Sequence, residues 1–286
     1  MQFNESIVWE HGANRVVLSV IDPPIYLMDV EGIDGLEQEI YSTKGSGQAG
    51  VSVSGASPNE REIVITFQLR RSATQQARRQ LLRAFKPSST PGTLTFRRGK
   101  DEWSIKCYVE SAPRFSEGVM MQGEITLIAP SPAMLAPAST VDIARWVDAI
   151  QFDFEIPAEG HELTYRQPQL IVNAFNDGDM DAGAVITMRA IGSASNPELV
   201  NVGTQEHMRF TIDLEPNDIL TIYTAYGEKR ITLTHHGVDS NAFVALDAGS
   251  TWLQMRPGDN FLRYSAAENA DNIEVRVRFA AAYSGV

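Results

Sequence analysis

Residues 61–69, with the sequence REIVITFQL, place an apolar side chain at every second position from Ile63 to Leu69, and Val64 is the one further apolar residue among them. Successive side chains of a β-strand point to opposite faces, so this alternation predicts a strand over Glu62–Leu69 with one buried face. In the residues that follow, the apolar side chains recur with the spacing of an α-helix. The chain therefore passes from strand to helix within a few residues.

The helical segment is short and has clear start and stop signals. Residues 72–75, SATQ, form a capping box, and Pro87 ends the pattern, which predicts a helix over Ser72–Phe85. Its apolar stripe consists of Ala77, Leu81, Ala84 and Phe85. The basic residues on its other face or beside it are Arg70, Arg71, Arg78, Arg79, Arg83 and Lys86. A solvated face, a subunit interface and a surface for an anionic partner all remain open for this cluster.

Most of the remaining sequence has a period of two and is punctuated by Gly, Pro, Asn and Asp, which predicts an all-β protein with one short α-helix. In the first half we predict strands over Arg15–Val20, Ile25–Val30, Gly92–Phe96, Trp103–Val109 and Val119–Ile128. In the second half we predict strands over Ile150–Ile156, Gln169–Asn173, Ala184–Ala190, Met208–Leu214, Leu220–Tyr223, Lys229–Thr234, Phe243–Leu246, Trp252–Met255, Asn260–Ser265 and Ile273–Phe279. So many short strands without a helical pattern favour a β-sandwich or jelly roll in the second half.

A Gly/Ser-rich stretch lies between Thr43 and Asn59, with the sequence KGSGQAG at residues 44–50. This composition is typical of a flexible loop or of a long hairpin arm. We expect such a segment to become ordered on contact with a neighbour.

The chain divides where Pro130, Pro132 and Pro137 interrupt the strand pattern, which predicts domains over residues 1–135 and 136–286. Residues 1–135 contain 14 Lys and Arg against 15 Asp and Glu, whereas residues 136–286 contain 10 against 21. Phosphate contacts need clustered basic residues, so the acidic second half argues against nucleic-acid binding there.

Composition bounds the class of protein. Apolar residues make up 43% of the 286 residues and charged residues 21%, which is typical of a soluble globular protein. The single cysteine, Cys107, lies in an alternating run and is expected to point into a core, and one cysteine cannot form an internal disulfide. The first residues lack a signal peptide pattern, and we find no apolar run long enough to span a bilayer. We expect synthesis in the cytoplasm without membrane insertion.

Motifs for catalysis or metal binding are weak, so we expect no enzyme activity, cofactor or metal. Residues 177–183, DGDMDAG, begin like a calcium loop, but Ala182 and Met188 stand where glycine and an acidic ligand are needed. His235 and His236 form the sole histidine pair; we expect them on opposite faces of one strand, where they cannot easily share an ion.

Three aromatic residues near turns of the second half are candidate contacts for a partner or a saccharide: Tyr223, Tyr226 and Trp252. Strand aromatics usually belong to a core, and that reading remains open beside the binding one.

Three segments of the first half occur in a set order: residues 61–67, REIVITF, residues 78–85, RRQLLRAF, and residues 123–132, GEITLIAPSP. This order resembles the Arg-Glu strand, the Arg-rich helix ending near Phe-x-Pro and the proline-punctuated linker of the distal tail protein family of long-tailed phages. In the second half, residues 220–233 resemble that family's "L-x-I" and "V-x-L" hairpin, and residues 250–260, STWLQMRPGDN, resemble its closing "S-x-W/F-x-x-L-x-x-G-x-N" segment. The resemblance covers nearly the whole chain.

The resemblance implies a first domain of tail-tube-like β-sandwich fold that closes into a hexameric ring, and a second, galectin-like β-sandwich (jelly-roll) domain. It also implies a place in the virion, at the phage tail tip. The ring would join the tail tube protein to the tail hub or tail-associated protein and to receptor-binding proteins. Ring contacts of this kind are heterologous.

The expected subunit contacts include the strand, the arm and the helix described above, with Glu62, Arg70, Arg71, Arg78, Arg79 and Arg83 as candidate interface residues. Two alternatives belong to other classes. A carbohydrate-binding adhesin would use the aromatics of the second domain to bind a cell-surface saccharide, and a tail-associated hydrolase would need a catalytic constellation that we do not find.

Overall fold

The computed structural model describes residues 5–70, 74–116, 121–148, 164–168 and 171–286. The chain forms two compact units, one of residues 1–137 with 283–286 and one of residues 138–282. The boundary falls after residue 137 rather than after residue 135, and the last four residues, which the sequence placed in the second domain, belong to the first unit.

Up to residue 137, the first unit contains ten strands and one helix among the residues described. The strands are β1 (Glu5–His11), β2 (Asn14–Ser19), β3 (Ile25–Glu31), β4 (Gln38–Thr43), β5 (Ser52–Pro58), β6 (Arg61–Leu69), β7 (Gly92–Arg98), β8 (Asp101–Phe115), β9 (Met121–Ala129) and β10 (Met134–Leu135). Helix α1 spans Thr74–Ala84, between β6 and β7.

The main sheet of this unit closes on itself. Its strands follow the order β8-β7-β1-β2-β3-β6-β9, and β9 pairs again with β8. β8 is long enough to do this because its first half pairs with β7 and its second half with β9. Along β6 every second residue is buried, as the alternation predicts. The inward side chains of these strands form one apolar core.

Helix α1 covers part of that core with the stripe predicted from the sequence. Ala77, Leu81, Ala84 and Phe85 are all at most 1% exposed. The indole Nε1 of Trp9 donates a hydrogen bond to the carbonyl oxygen of Ala84 at 2.9 Å, and its ring stacks on Phe85 at 5.1 Å between centroids. The predicted start of the helix, at Ser72 and Ala73, lies outside the described residues.

Cys107 is fully buried in this core, as expected from its place in an alternating strand. Burial raises the pKa of its thiol to about 12, and the nearby Arg61 guanidinium offsets part of that rise. A buried thiol with a raised pKa is chemically inert.

The second unit contains two sheets among the residues described. Its strands are β11 (Ser139–Asp148), β12 (Thr164–Pro168), β13 (Val172–Asn173), β14 (Ala184–Ala190), β15 (Ala194–Asn201), β16 (His207–Arg209), β17 (Asp213–Leu214), β18 (Ile219–Tyr223), β19 (Arg230–His235), β20 (Val238–Asn241), β21 (Phe261–Glu268) and β22 (Ile273–Phe279). The last strand of the chain, β23 (Ala282–Tyr283), joins the main sheet of the first unit next to β10. One sheet has the order β12-β11-β22-β14-β18-β19-β20, and the other has the order β13-β21-β15-β16 with β17 on β15. Their inward residues, such as Ile186, Leu199, Leu262 and Val277, are buried.

The predicted all-β class is confirmed, but some predicted strands are wrong. Phe243–Leu246 contains a 3-10 turn at Phe243–Ala245, and Trp252–Met255 is a loop with one isolated bridge, between Met255 and Ala182. The alternation there reflects burial of Leu253 and Met255 beneath an irregular backbone.

Other predictions differ in extent. Met208–Leu214 is two short strands, β16 and β17. Ile150–Ile156 lies outside the described residues, as do the first two residues of Val119–Ile128 and of Gln169–Asn173. No helix in the described part of the chain is long and apolar enough to cross a membrane.

Candidate functional site

An exposed hairpin, formed by β4 and β5 and called the arm below, stands out from the first unit. All of β4 is exposed, and so is all of β5 except Ser57. The two strands pair with each other and with no third strand among the described residues. A two-stranded hairpin is marginally stable on its own in water. Of the two structures that the Gly/Ser-rich stretch allowed, the structure shows the hairpin, which begins earlier than predicted.

The arm presents apolar side chains to solvent. Ile40 is 56% and Val53 63% exposed. Val53 pairs with Ser42, which lies two residues after Ile40 on β4, so Ile40 and Val53 share one face of the arm. The ring of Tyr41 lies on the other face, where its hydroxyl contacts the Ser57 hydroxyl at 2.8 Å. Exposed β-branched residues on an unpaired hairpin are typical of a surface that binds another chain.

The arm joins the unit beside a buried arginine at the start of β6. Arg61 is 4% exposed, and its guanidinium donates to the carbonyl oxygens of Gly32 at 2.6 Å, Pro132 at 2.8 Å and Ser284 at 2.5 Å. Burial lowers the pKa of Arg61. This side chain therefore links three segments that are distant in sequence, including the end of the chain.

Glu62, the predicted interface residue on β6, is exposed at the base of the arm. It lines a groove together with Glu37 and Asn59, whose backbone hydrogen bond closes the arm at 3.0 Å. Gly32 has a φ of +83°, and a Cβ there would collide with the Glu62 carbonyl. The structure thus brings Glu62 next to the arm.

The closed sheet has a weak seam between β2 and β3. These strands run parallel and pair at one position, Ser19 with Tyr26. Val17 on β2 and Met28 on β3 are 42% and 44% exposed beside the seam. Exposed strand edges of this kind can accept a strand from another chain.

The predicted arginines do not form one surface. Arg79 and Arg83 line a groove with Arg15 of β2, next to the seam. Arg78 turns away and places its guanidinium 4.7 Å from the ring centroid of Phe115. Arg70 follows β6, and its backbone N–H donates to the carbonyl oxygen of Pro24 at 2.9 Å; Arg71 lies outside the described residues.

In the second unit, the three predicted aromatic residues contact two different basic side chains. The Lys229 ammonium lies 4.9 Å from the ring centroid of Tyr226 and 5.5 Å from that of Trp252. Phe243 extends this group, with its ring 5.8 Å from Trp252. The four residues Tyr226, Lys229, Phe243 and Trp252 are called the aromatic patch below.

Tyr223 is not part of the aromatic patch, because its ring contacts a different residue. The Arg230 guanidinium covers its ring at 3.4 Å. In contrast, Tyr226 is 72% exposed and free for a ligand to approach. A cation above exposed rings offers both stacking and a positive charge to a ligand.

Two family models match the chain. The model for the RIFT-related domain of phage tail proteins matches residues 21–129, and the model for the C-terminal domain of the siphovirus-type tail component matches residues 177–283. The chain belongs to the distal tail protein family of siphophages. The family implies a structural component of the phage tail tip, and hence of the virion, with a structural rather than an enzymatic role.

Solved structures with the same fold include the crystal structure of the Dit protein of phage SPP1, a hub of the adsorption apparatus in phages that infect Gram-positive bacteria. It is 13% identical, with a TM-score of 0.68 over 96% of this chain and 98% of that one. A chain of the phage P2 baseplate, in its activated conformation with Ca, is 8% identical, with a TM-score of 0.53 over 96% and 97%. No curated protein sequence matches the chain.

Residues 250–260, which resemble the closing segment of the family, end at a buried asparagine. Asn260 is 1% exposed, and its side-chain amide donates to the carbonyl oxygens of Ala174 at 3.1 Å, Arg256 at 2.8 Å and Gly258 at 3.2 Å. Its Oδ1 accepts from the Arg256 N–H at 3.0 Å. One side chain therefore fixes the turn that follows Trp252.

Sequence reasoning missed several residues of these surfaces. Ile40 and Val53 were not singled out because the Gly/Ser-rich tip dominates the composition of the arm. Lys229 and Phe243 were missed because their contacts join separate loops. Val17 was assigned to an ordinary strand, and no local pattern marks the weak seam beside it.

Proposed function

We propose that this protein is the hub of a siphophage tail tip and forms a hexameric ring through its first unit. The observation that supports this most strongly is the arm, a hairpin that exposes Ile40 and Val53 and pairs with no third strand in the described part of the chain. Closed rings need heterologous contacts, in which a surface on one subunit meets a different surface on the next. The arm and the seam between β2 and β3 are two such different surfaces on one unit.

In this proposal the arm of one subunit lies over the seam of its neighbour. Ile40 and Val53 would pack against Val17 and Met28, and the unpaired backbone of both surfaces would gain hydrogen bonds. Full burial of a Val or Ile side chain contributes about 1.5–3 kcal/mol, so the exposed halves of Ile40 and Val53 contribute roughly 2 kcal/mol per contact. Six such contacts in a closed ring reinforce one another.

The ring would connect the tail tube protein on one side with the tail hub or tail-associated protein and the receptor-binding proteins on the other. The support is analogy with SPP1 Dit and with the phage P2 baseplate, together with the division of the chain into two units. Arg79 and Arg83 beside the seam, and Glu62 at the base of the arm, add opposite charges near the proposed contact. Such rim charges guide association more than they strengthen it.

The contact can be tested by cross-linking, because Cys107 is buried and will not react in the folded protein. A double variant, Val53→Cys with Val17→Cys, treated with a short bismaleimide, is expected to give a ladder of covalent species that ends at six chains. Each single variant is expected to give dimers at most. The matched control replaces the arm cysteine with Val244→Cys, at a residue 97% exposed in the second unit, and should give no ladder.

Two results would count against the proposal in different ways. A solution mass of six chains without cross-linking of the double variant would disprove the arm-to-seam contact but keep the ring. A ladder of equal length in the control would show that the cross-links arise from random collision.

A second candidate function is saccharide binding by the aromatic patch, as in an adhesin. The exposed ring of Tyr226 beside the Lys229 ammonium favours this, because sugars stack on aromatic rings and acidic sugars pair with cations. Glycan-array screening of the wild-type protein against Trp252→Ala is the test. Loss of signal in the variant supports the adhesin, and an equal signal in both proteins refutes it.

A further inference from the structure

The turn between β19 and β20 contains the two adjacent histidines, and its backbone departs from what the sequence predicted. His235 pairs with Val238 as the last pair of the hairpin, so His236 and Gly237 form a two-residue turn. Their φ angles are +49° and +79°, as a type I′ turn requires. His236 is therefore not a strand residue, and the expectation that the two rings point to opposite faces is wrong. The ring centroids lie 4.0 Å apart.

A third side chain meets this pair. Glu215 follows β17, and ligand atoms of Glu215, His235 and His236 all lie within 4.8 Å of one another. Zinc binds histidine nitrogens and carboxylate oxygens at about 2.0–2.2 Å, so ligand atoms around one ion are roughly 3–4 Å apart. Glu215 and His236 are exposed and can close the remaining distance by rotation of their side chains.

A buried carboxylate holds two members of the cluster in place. The Asp218 side chain is 3% exposed, and its Oδ1 lies 2.8 Å from Nδ1 of His235. Its Oδ2 accepts a hydrogen bond from the backbone N–H of Glu215 at 2.9 Å. Asp218 therefore contacts both the Glu215 backbone and the His235 ring.

The contact between Asp218 and His235 has the form seen around metal-binding histidines. A carboxylate that accepts from Nδ1–H fixes the ring orientation and leaves Nε2 as the nitrogen available to an ion. Imidazole and carboxylate together favour Zn²⁺ and similar transition metals, whereas Ca²⁺ and Mg²⁺ prefer oxygen ligands alone.

We propose that Glu215, His235 and His236 form a Zn²⁺ site on the surface of the second unit, with Asp218 as a positioning residue. Three protein ligands leave a fourth position for water. A bound ion would join the β19–β20 hairpin to the turn after β17. The site lies within one unit, so it is independent of the ring.

The test is isothermal titration of ZnCl₂ into the full chain, prepared without a polyhistidine tag. We expect one ion per chain and a rise in the melting temperature on binding. Glu215→Gln and His236→Asn should each weaken binding by about tenfold or more; Asn accepts the positive φ of the turn, so folding is preserved. Asp218→Asn should weaken binding by about 10–100-fold without removing a ligand.

The matched control is His207→Ala, which removes a histidine of the same unit outside the cluster and should leave the titration unchanged. Weakening by His207→Ala equal to that by His236→Asn would overturn the proposal, because binding would then be non-specific. The absence of any heat or thermal shift with Zn²⁺ in the wild-type protein would overturn it as well. Binding of CaCl₂ with equal strength at the same residues would contradict the choice of ion.

Discussion

The two units expose different kinds of chemistry. The first unit presents backbone edges and apolar side chains, in the arm and at the seam between β2 and β3. The second presents ring and charged side chains, in the aromatic patch and in the cluster around His235. Strand edges and apolar burial suit a contact repeated between identical chains, whereas cations over aromatic rings suit recognition of a different molecule. Under the proposals above, the first unit serves assembly and the second serves recognition.

The largest expected effect comes from the arm. Ile40→Ser with Val53→Ser should reduce the solution mass from six chains to one at micromolar concentration, because the apolar contribution of every ring contact is lost. Sedimentation velocity measures this. The control pair is Phe175→Ser with Val244→Ser, two exposed apolar residues of the second unit, which should leave the mass unchanged. Equal dissociation by both pairs would erase the distinction between the units.

The next largest effect concerns the buried guanidinium of the first unit. Arg61→Leu leaves the carbonyl oxygens of Gly32, Pro132 and Ser284 without this donor, and we expect a loss of about 3–4 kcal/mol in unfolding free energy. Urea denaturation measures the loss, and hydrogen exchange should place it in the first unit. Arg97→Leu is the control: its ion pair with Glu102 at 2.6 Å is exposed and contributes less than about 1 kcal/mol. A loss no larger than that of the control would contradict the role given to Arg61.

Asn260→Ala is the corresponding change in the second unit. It removes the amide that donates to two carbonyl oxygens of the closing turn and to that of Ala174, and we expect a loss of about 2–3 kcal/mol, with faster hydrogen exchange at residues 250–260. Asn241→Ala, at an exposed site with one hydrogen bond to the Phe243 N–H, should lose less than about 1 kcal/mol. If both substitutions had the same effect, the turn would not depend on Asn260.

The smallest effect is a dependence on pH that belongs to the first unit. An unfolded thiol ionises near pH 9, whereas the pKa of Cys107 in the folded core is about 12. Between these values the folded state holds one more proton, so stability falls as pH rises, by about 1.4 kcal/mol per pH unit. Urea denaturation at about pH 8 and about pH 10 should show a total loss of about 1.4 kcal/mol in the wild-type protein that is absent from Cys107→Ala, because the unfolded thiol ionises midway through this interval. Parallel slopes in the two proteins would be inconsistent with a protonated core thiol.

Local patterns predicted the regular part of the fold. The alternation of β6 and the apolar stripe of α1 were sufficient because each depends on one face of one element. β15 was missed because Asn196 and Pro197 interrupt its pattern, although its remaining residues pair with β21. The loop at Trp252–Met255 was taken for a strand because its apolar residues are buried without strand pairing, together with Gln254 between them.

The candidate surfaces were less predictable because they depend on contacts between distant segments. The six interface candidates are close in sequence, but the fold sends Arg78 to Phe115 and leaves Arg79 beside Arg15. The aromatics were found by type, yet Lys229 and Phe243 join them through the tertiary structure. The turn that unites His235 and His236 depends on a positive φ at His236, a conformation that Gly237 alone did not indicate.

Light scattering on the purified wild-type protein, over a wide range of concentration and salt, tests the central claim most directly. The account predicts a mass of six chains that persists on dilution to low micromolar concentration, since closure of the ring reinforces each contact. A mass of one chain at every concentration would contradict the proposal that the arm and the seam build a ring.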